Sequence, residues 1–114
     1  PGYRVCYFKL SEDEMLSMGV FCLCKGKSLT LHDHPNMLVF SKLLCGKLRR
    51  QSMDLLDRSV QQSLAERAYL RDDYDVVGTE LEAKLFSDEV LNSGDIVHLT
   101  PEKGNIHSFE ALED

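Results

Sequence analysis

Residues Ser28–Gly46 read SLTLHDHPNMLVFSKLLCG, and this stretch decides the fold. Ser28–His34 is a short β-type run. It breaks at Pro35–Asn36, because proline donates no ladder hydrogen bond and asparagine tolerates turn geometry. Met37–Cys45 is then the strongest strand in the chain, and Gly46 punctuates it. The same grammar repeats on both sides. Upstream, Tyr3–Leu10 is rich in aromatic and β-branched residues and ends in Ser11–Glu12–Asp13–Glu14; Met15–Cys24 follows, with Lys25–Gly26–Lys27 as a turn. Downstream, Lys84–Leu91 reads as a strand, Asn92–Ser93–Gly94–Asp95 as a tight turn, Ile96–Thr100 as a strand, and Gly104–Leu112 as loop then strand. Short strands with regular turn signals predict an all-β sandwich or barrel. A helical bundle would need longer apolar periods.

One segment differs. In Leu55–Leu70, Leu56, Val60, Leu64 and Ala68 recur every fourth residue, with Asp57, Arg58, Gln61, Gln62, Glu66 and Arg67 between them. That spacing predicts a short amphipathic helix near 55–70, lying across a sheet face. Arg71–Asp75 follows as an acidic loop. No internal repeat, low-complexity tract or linker interrupts the chain, so residues 1–114 are expected to form a single domain.

Composition narrows the function classes. At 114 residues and 13.0 kDa the chain suffices for one core and not two. Hydrophobic residues at 43% and charged residues at 28% suit a soluble globular domain. Nineteen acids against thirteen bases give a net charge of −6, which argues against a nucleic-acid binder that works by neutralising phosphates. Apolar runs such as Val20–Cys24 fall well short of the roughly 18 residues a spanning helix needs. With no basic-then-apolar leader at the start, the expectation is a cytoplasmic chain that meets neither membrane nor nucleic acid. Pro1, in place of an initiating Met, suggests an incomplete N-terminus. Cys6, Cys22, Cys24 and Cys45 are expected to be reduced, buried or structural thiols. Cys22 and Cys24 alternate within a strand-like run and lack the turn that C-x2-C metal ligands use.

The histidines carry the chemistry. His32 and His34 flank Asp33, and residues i and i+2 of a strand project to one face roughly 6–7 Å apart. Two imidazoles at that spacing can grip one metal ion from adjacent corners. Thr30 shares their face, while Leu31 and Asp33 point the other way. His98 reads as structural or exposed. H-x-H alone is a weak signal, and its surroundings strengthen it.

Gly26, five residues, His32-x-His34, four residues, Val39, six residues and Gly46 form a frame that resembles the first motif of the cupin superfamily. A metal-binding Glu usually occupies the Val39 position there. Gly94, six residues, Pro101, two residues, Gly104, two residues and His107 resemble the second cupin motif and offer a third imidazole. Its Pro–Gly spacing is one residue longer than usual, and its final Asn position is Ala111. More closely, His32–Gly46 and Gly104–Asn105–Ile106–His107–Ser108–Phe109–Glu110–Ala111 resemble the cysteamine dioxygenase and plant cysteine oxidase family.

That resemblance implies a double-stranded β-helix, the cupin jelly-roll barrel. It also implies a mononuclear non-haem Fe(II) site with His32, His34 and His107 as ligands and no other catalytic residue. Met37, Val39 and Phe109 would line the pocket. The reaction implied is the oxidation by O2 of a thiol to a sulfinic acid, the thiol being a small aminothiol or a polypeptide's N-terminal cysteine. Val39 in the carboxylate's place leaves three neutral imidazoles and the full charge of a ferrous ion, which favours an anionic thiolate. Holding both reactants on one metal lowers the entropic barrier to their meeting. Family members continue past the third histidine, so a barrel ending at Asp114 would expose a sheet edge. The N-terminal strands, the 55–70 helix or a second subunit would cover it, and a homodimer is the expectation. Two other readings compete: a non-catalytic metal- or ligand-binding cupin module with a regulatory or assembly role, and an enzyme of this fold using another metal.

Overall fold

The computed structural model describes residues 5–57 and 82–114. Eight strands are present: β1 (Val5–Glu12), β2 (Ser17–Leu23), β3 (Ser28–His32), β4 (Val39–Lys42), β5 (Lys47–Leu55), β6 (Ala83–Asn92), β7 (Ile96–Leu99) and β8 (Ile106–Ala111). The chain is all-β among the described residues, and every strand pair is antiparallel. β1 and β2 form one hairpin, β3-β8-β5-β6 a four-stranded sheet, and β4 and β7 a third pair. The pairing is nested. β5 pairs with β6, β4 with β7 and β3 with β8, so each outer pair encloses the next in sequence.

One strand expectation changes, and one strand was not expected. Met37–Cys45 contracts to Val39–Lys42, because Asn36 adopts a positive φ of 55° and the Met37 N–H donates to the His34 carbonyl, which draws Met37 into the turn. Lys47–Leu55 is a nine-residue strand that no hydrophobic alternation announces. Its alternation is real but polar: Arg50, Ser52 and Asp54 are its buried residues. The helix expected near 55–70 does not begin at Leu55, which completes β5 opposite Ala83; residues 58–70 lie outside the described residues.

The four-stranded sheet presents one face as parallel rungs. Leu48, Ala111 and Leu91 form an apolar rung, with Ala111 and Leu91 buried. The next rung is Leu29, Phe109, Arg50 and Glu89. The third is His32, His107, Ser52 and Ser87. Polarity therefore rises stepwise along this face, and the histidines sit at its polar end. The four cysteines are free as expected, but all are exposed, so none serves as buried packing.

Candidate metal centre

His32 ends β3, His34 follows two residues later, and His107 sits on β8. A regular ladder running from the Leu29–Phe109 pair would set Leu31 opposite His107. An irregularity between Leu29 and His32 takes up one extra residue, and His32 becomes the partner of His107 instead. Bulges re-aim side chains in this way. The same bulge holds the ring, since His32 Nδ1–H donates to the Thr30 carbonyl at 2.6 Å.

The three rings converge. Centroids lie 4.7 Å apart for His32–His34, 4.8 Å for His32–His107 and 4.5 Å for His34–His107, with interplanar angles of 59°, 81° and 68°. One ring nitrogen from each falls within 4.8 Å of the others, and the group contains no carboxylate. His34 Nδ1–H donates to the Asn105 carbonyl at 2.9 Å. With Nδ1 protonated in both His32 and His34, the lone pair of each resides on Nε2. Buried His107 Nδ1 has no hydrogen-bond partner.

Electrostatics favour the neutral form of His107 and His34. Burial, then the charges His34, His32 and Arg50 would bring, push the His107 pKa down to about 3. Burial is also the main cause lowering His34, opposed by its bond to Asn105. Half-buried Asp33 favours protonated His34, the weakest of the four influences on that ring. Neutral imidazoles are what a metal requires, and for His107 and His34 deprotonation opposes binding little near neutral pH. The donor set, three imidazoles with two tautomers fixed by backbone carbonyls and one orphaned ring nitrogen, fits a divalent transition metal.

Residues that escaped the sequence reading hold the frame. Buried Asn105 accepts the His34 N–H on Oδ1 at 2.9 Å, and its Nδ2 donates to the carbonyls of His34 (2.7 Å) and Thr100 (3.1 Å). Buried Asp54 accepts the Gly104 N–H at 2.7 Å, where Gly104 has a φ of 64° that suits glycine. Ser52, fully buried, lies beside His107, and Arg50 approaches Glu89 at 3.2 Å. The only prior sign of Asn105 was its place in the quoted Gly104–Ala111 block. Of the residues expected to line a pocket, Phe109 lies against His107, with centroids 4.6 Å apart. Val39 is half-buried on β4 opposite Leu99, and Met37 is exposed in the turn that precedes β4. His98 is exposed and pairs with Phe40 across β4 and β7, a different sheet from that of His32 and His107.

The PCO_ADO family profile matches residues 2–114. The chain belongs to the PCO_ADO family. PCO_ADO relatives include a probable 2-aminoethanethiol dioxygenase of Dictyostelium discoideum, 30% identical over 99% of this chain and 46% of that protein. The 2-aminoethanethiol dioxygenase of Mus musculus is 32% identical over 96% of this chain and 44% of its own length. Plant cysteine oxidase 1 of Arabidopsis thaliana is 37% identical over 60% of this chain and 24% of its own length. The chain thus spans less than half the length of these curated PCO_ADO relatives.

Proposed function

We propose that the chain is the metal-binding portion of an iron(II)-dependent thiol dioxygenase that oxidises a small aminothiol or an N-terminal cysteine to a sulfinic acid with O2. The observation that carries this reading is the three-histidine cluster without a carboxylate, in a chain of the PCO_ADO family. His32, His34 and His107 would hold the ion. When bound, a ferrous ion would supply a cationic centre whose three histidine ligands carry no negative charge, a centre that favours a thiolate and O2 together.

The chain's own residues prepare that centre. The Thr30 and Asn105 carbonyls fix two tautomers, and burial keeps His107 in its neutral, metal-ready form. Phe109 packs against the ring of His107, which is buried. The nested pairing of β3–β8, β4–β7 and β5–β6 is that of a long hairpin folded on itself, which supports a jelly-roll cupin barrel formed by one domain. Four free thiols suit a reducing cytoplasm.

The test is oxygen uptake by iron-loaded protein offered cysteamine and, separately, a Cys-initiated peptide, with mass spectrometry of the products. A gain of two oxygens on either thiol is expected. Stoichiometrically bound iron with no uptake from either would overturn the enzymatic reading and leave a metal-binding module.

A further inference from the structure

The N-terminal hairpin carries a separate chemistry. Cys6 of β1 stands directly opposite Cys22 of β2, and both thiols are free and exposed. Opposed residues of an antiparallel pair have Cα atoms about 5.5 or 4.5 Å apart, according to their hydrogen-bonding phase. A disulfide spans about 4.4–6.8 Å between Cα atoms, so in either phase the Cα separation of such a pair lies within the range of the bond. Cys24 competes poorly. It lies just past the end of β2 at Leu23 and stands opposite no described residue of β1. Among the described residues, the group of three positioned for a metal is the histidine triad and not these thiols.

We propose that Cys6 and Cys22 are a reversible cross-strand dithiol that exchanges with low-molecular-weight disulfides. The thiolate of one attacks the disulfide RS–SR, forming a mixed disulfide and expelling RS⁻, which takes up a proton. The thiolate of the other attacks the protein sulfur of that mixed disulfide and expels the second RS⁻. Two protein thiols lose two electrons and two protons, and one RS–SR becomes two RSH. The bond closes the fifteen residues Tyr7–Phe21 into a loop. Its effect is local and mechanical. Within the described sheets β1 and β2 hydrogen-bond only to each other as strands, and an isolated two-stranded hairpin is marginal in stability. The bond fixes the hairpin that leads through the Cys24–Lys27 turn to β3. That turn is stitched to the end of the chain, with Gly26 N–H donating to the Ala111 carbonyl at 2.8 Å and Lys25 N–H to Asp114 Oδ1 at 2.7 Å.

The experiment needs no metal and stands apart from the proposed activity. The full chain is equilibrated in buffers of graded oxidised to reduced glutathione, and the remaining thiols are alkylated. Trypsin separates Cys6 in Val5–Lys9 from Cys22 and Cys24 in Leu10–Lys25, and fragmentation then distinguishes the last two. A Cys6–Cys22 cross-link is expected to accumulate as the oxidised share rises, with Cys24 and Cys45 still alkylated. Dithiothreitol should reverse it, and amide exchange in the hairpin should slow while it is present. Cys6→Ser and Cys22→Ser should each stop at a glutathione mixed disulfide on the remaining partner. Full alkylation of Cys6 and Cys22 in oxidised buffer would overturn the proposal. So would mixed disulfides on both without an internal bond, or a bond formed instead to Cys24 or between two chains.

Discussion

Asn105 and His34, 71 residues apart, clasp each other through three hydrogen bonds: His34 N–H to Oδ1, Nδ2 to the His34 carbonyl, and His34 Nδ1–H to the Asn105 carbonyl. The side chain of one residue thus pins the backbone of the other, and the backbone of the first fixes the ring of the second. The loop after β3 is thereby attached to the start of β8, and two metal-ligand candidates are set in one frame.

Asn105→Ala is expected to lose three side-chain hydrogen bonds in a buried setting, costing about 2–4 kcal/mol by urea denaturation. Loss of ligand support should weaken Fe(II) or Co(II) affinity about 10- to 100-fold in a chelator competition. Asn105→Asp should do no better, because a carboxylate cannot donate to the His34 and Thr100 carbonyls. Unchanged metal affinity in both variants would contradict this role.

Metal should stabilise the fold. Co(II) at 100 times its dissociation constant is expected to add about 2.7 kcal/mol, visible as a higher thermal midpoint that a chelator reverses. His32→Ala, His34→Ala and His107→Ala should each abolish the gain. A gain that persists in all three would place the ion elsewhere.

Stability of the metal-free chain should depend on His107. A histidine in the unfolded chain titrates near 6.5, roughly its ordinary value, whereas burial first and neighbouring charges second hold His107 at about 3. Between those values the unfolded chain binds the extra proton. The stability contribution is therefore complete above pH 6.5 and falls as the pH is lowered towards 3, by at most about 1.4 kcal/mol per pH unit for one proton. His34, lowered mainly by burial, acts in the same direction. Urea midpoints from pH 7 to 4 should fall more steeply for the wild type than for His107→Gln; equal slopes would refute the assignment.

Asp54→Ala should leave the Gly104 N–H without its buried partner, at a cost of about 1–3 kcal/mol. Gly104→Ala should cost about 1–2 kcal/mol, because its φ of 64° is one that L side chains resist. Denaturant titrations of both variants check these values, and a neutral Gly104→Ala would mean that the turn relaxes.

His98→Ala is expected to change stability by no more than about 0.5 kcal/mol and to leave Co(II) affinity as it is, since the ring is exposed on the β4–β7 pair. A weakened metal site in this variant would show that the triad has a fourth contributor.

Hydrophobic patterning made most of the strands legible, because β1, β2, β6 and β7 have apolar or β-branched residues bounded by turn chemistry. It could not reveal β5, whose buried face is Arg50, Ser52 and Asp54. A strand that turns charge inwards looks like a loop to any reading based on hydropathy. His32, His34 and His107 were legible from motif spacing, and they converge. Asn105 and Asp54 were not, since their work is to bond backbone groups that only the folded chain brings near. Simple alternation set Thr30 with His32 on one face, yet the bulge between Leu29 and His32 interrupts that parity.

The extra residue in β3 makes the histidine cluster a proofreader of strand annealing. A chain zipped without it would satisfy nearly the same ladder, yet would offer Leu31 where His32 belongs and swing an imidazole to the opposite side. The two isomers differ little in backbone bonding but greatly in what they can capture. An ion bound by all three rings would reward one alignment alone, so loading with metal would certify that the sheet had been assembled in the right phase.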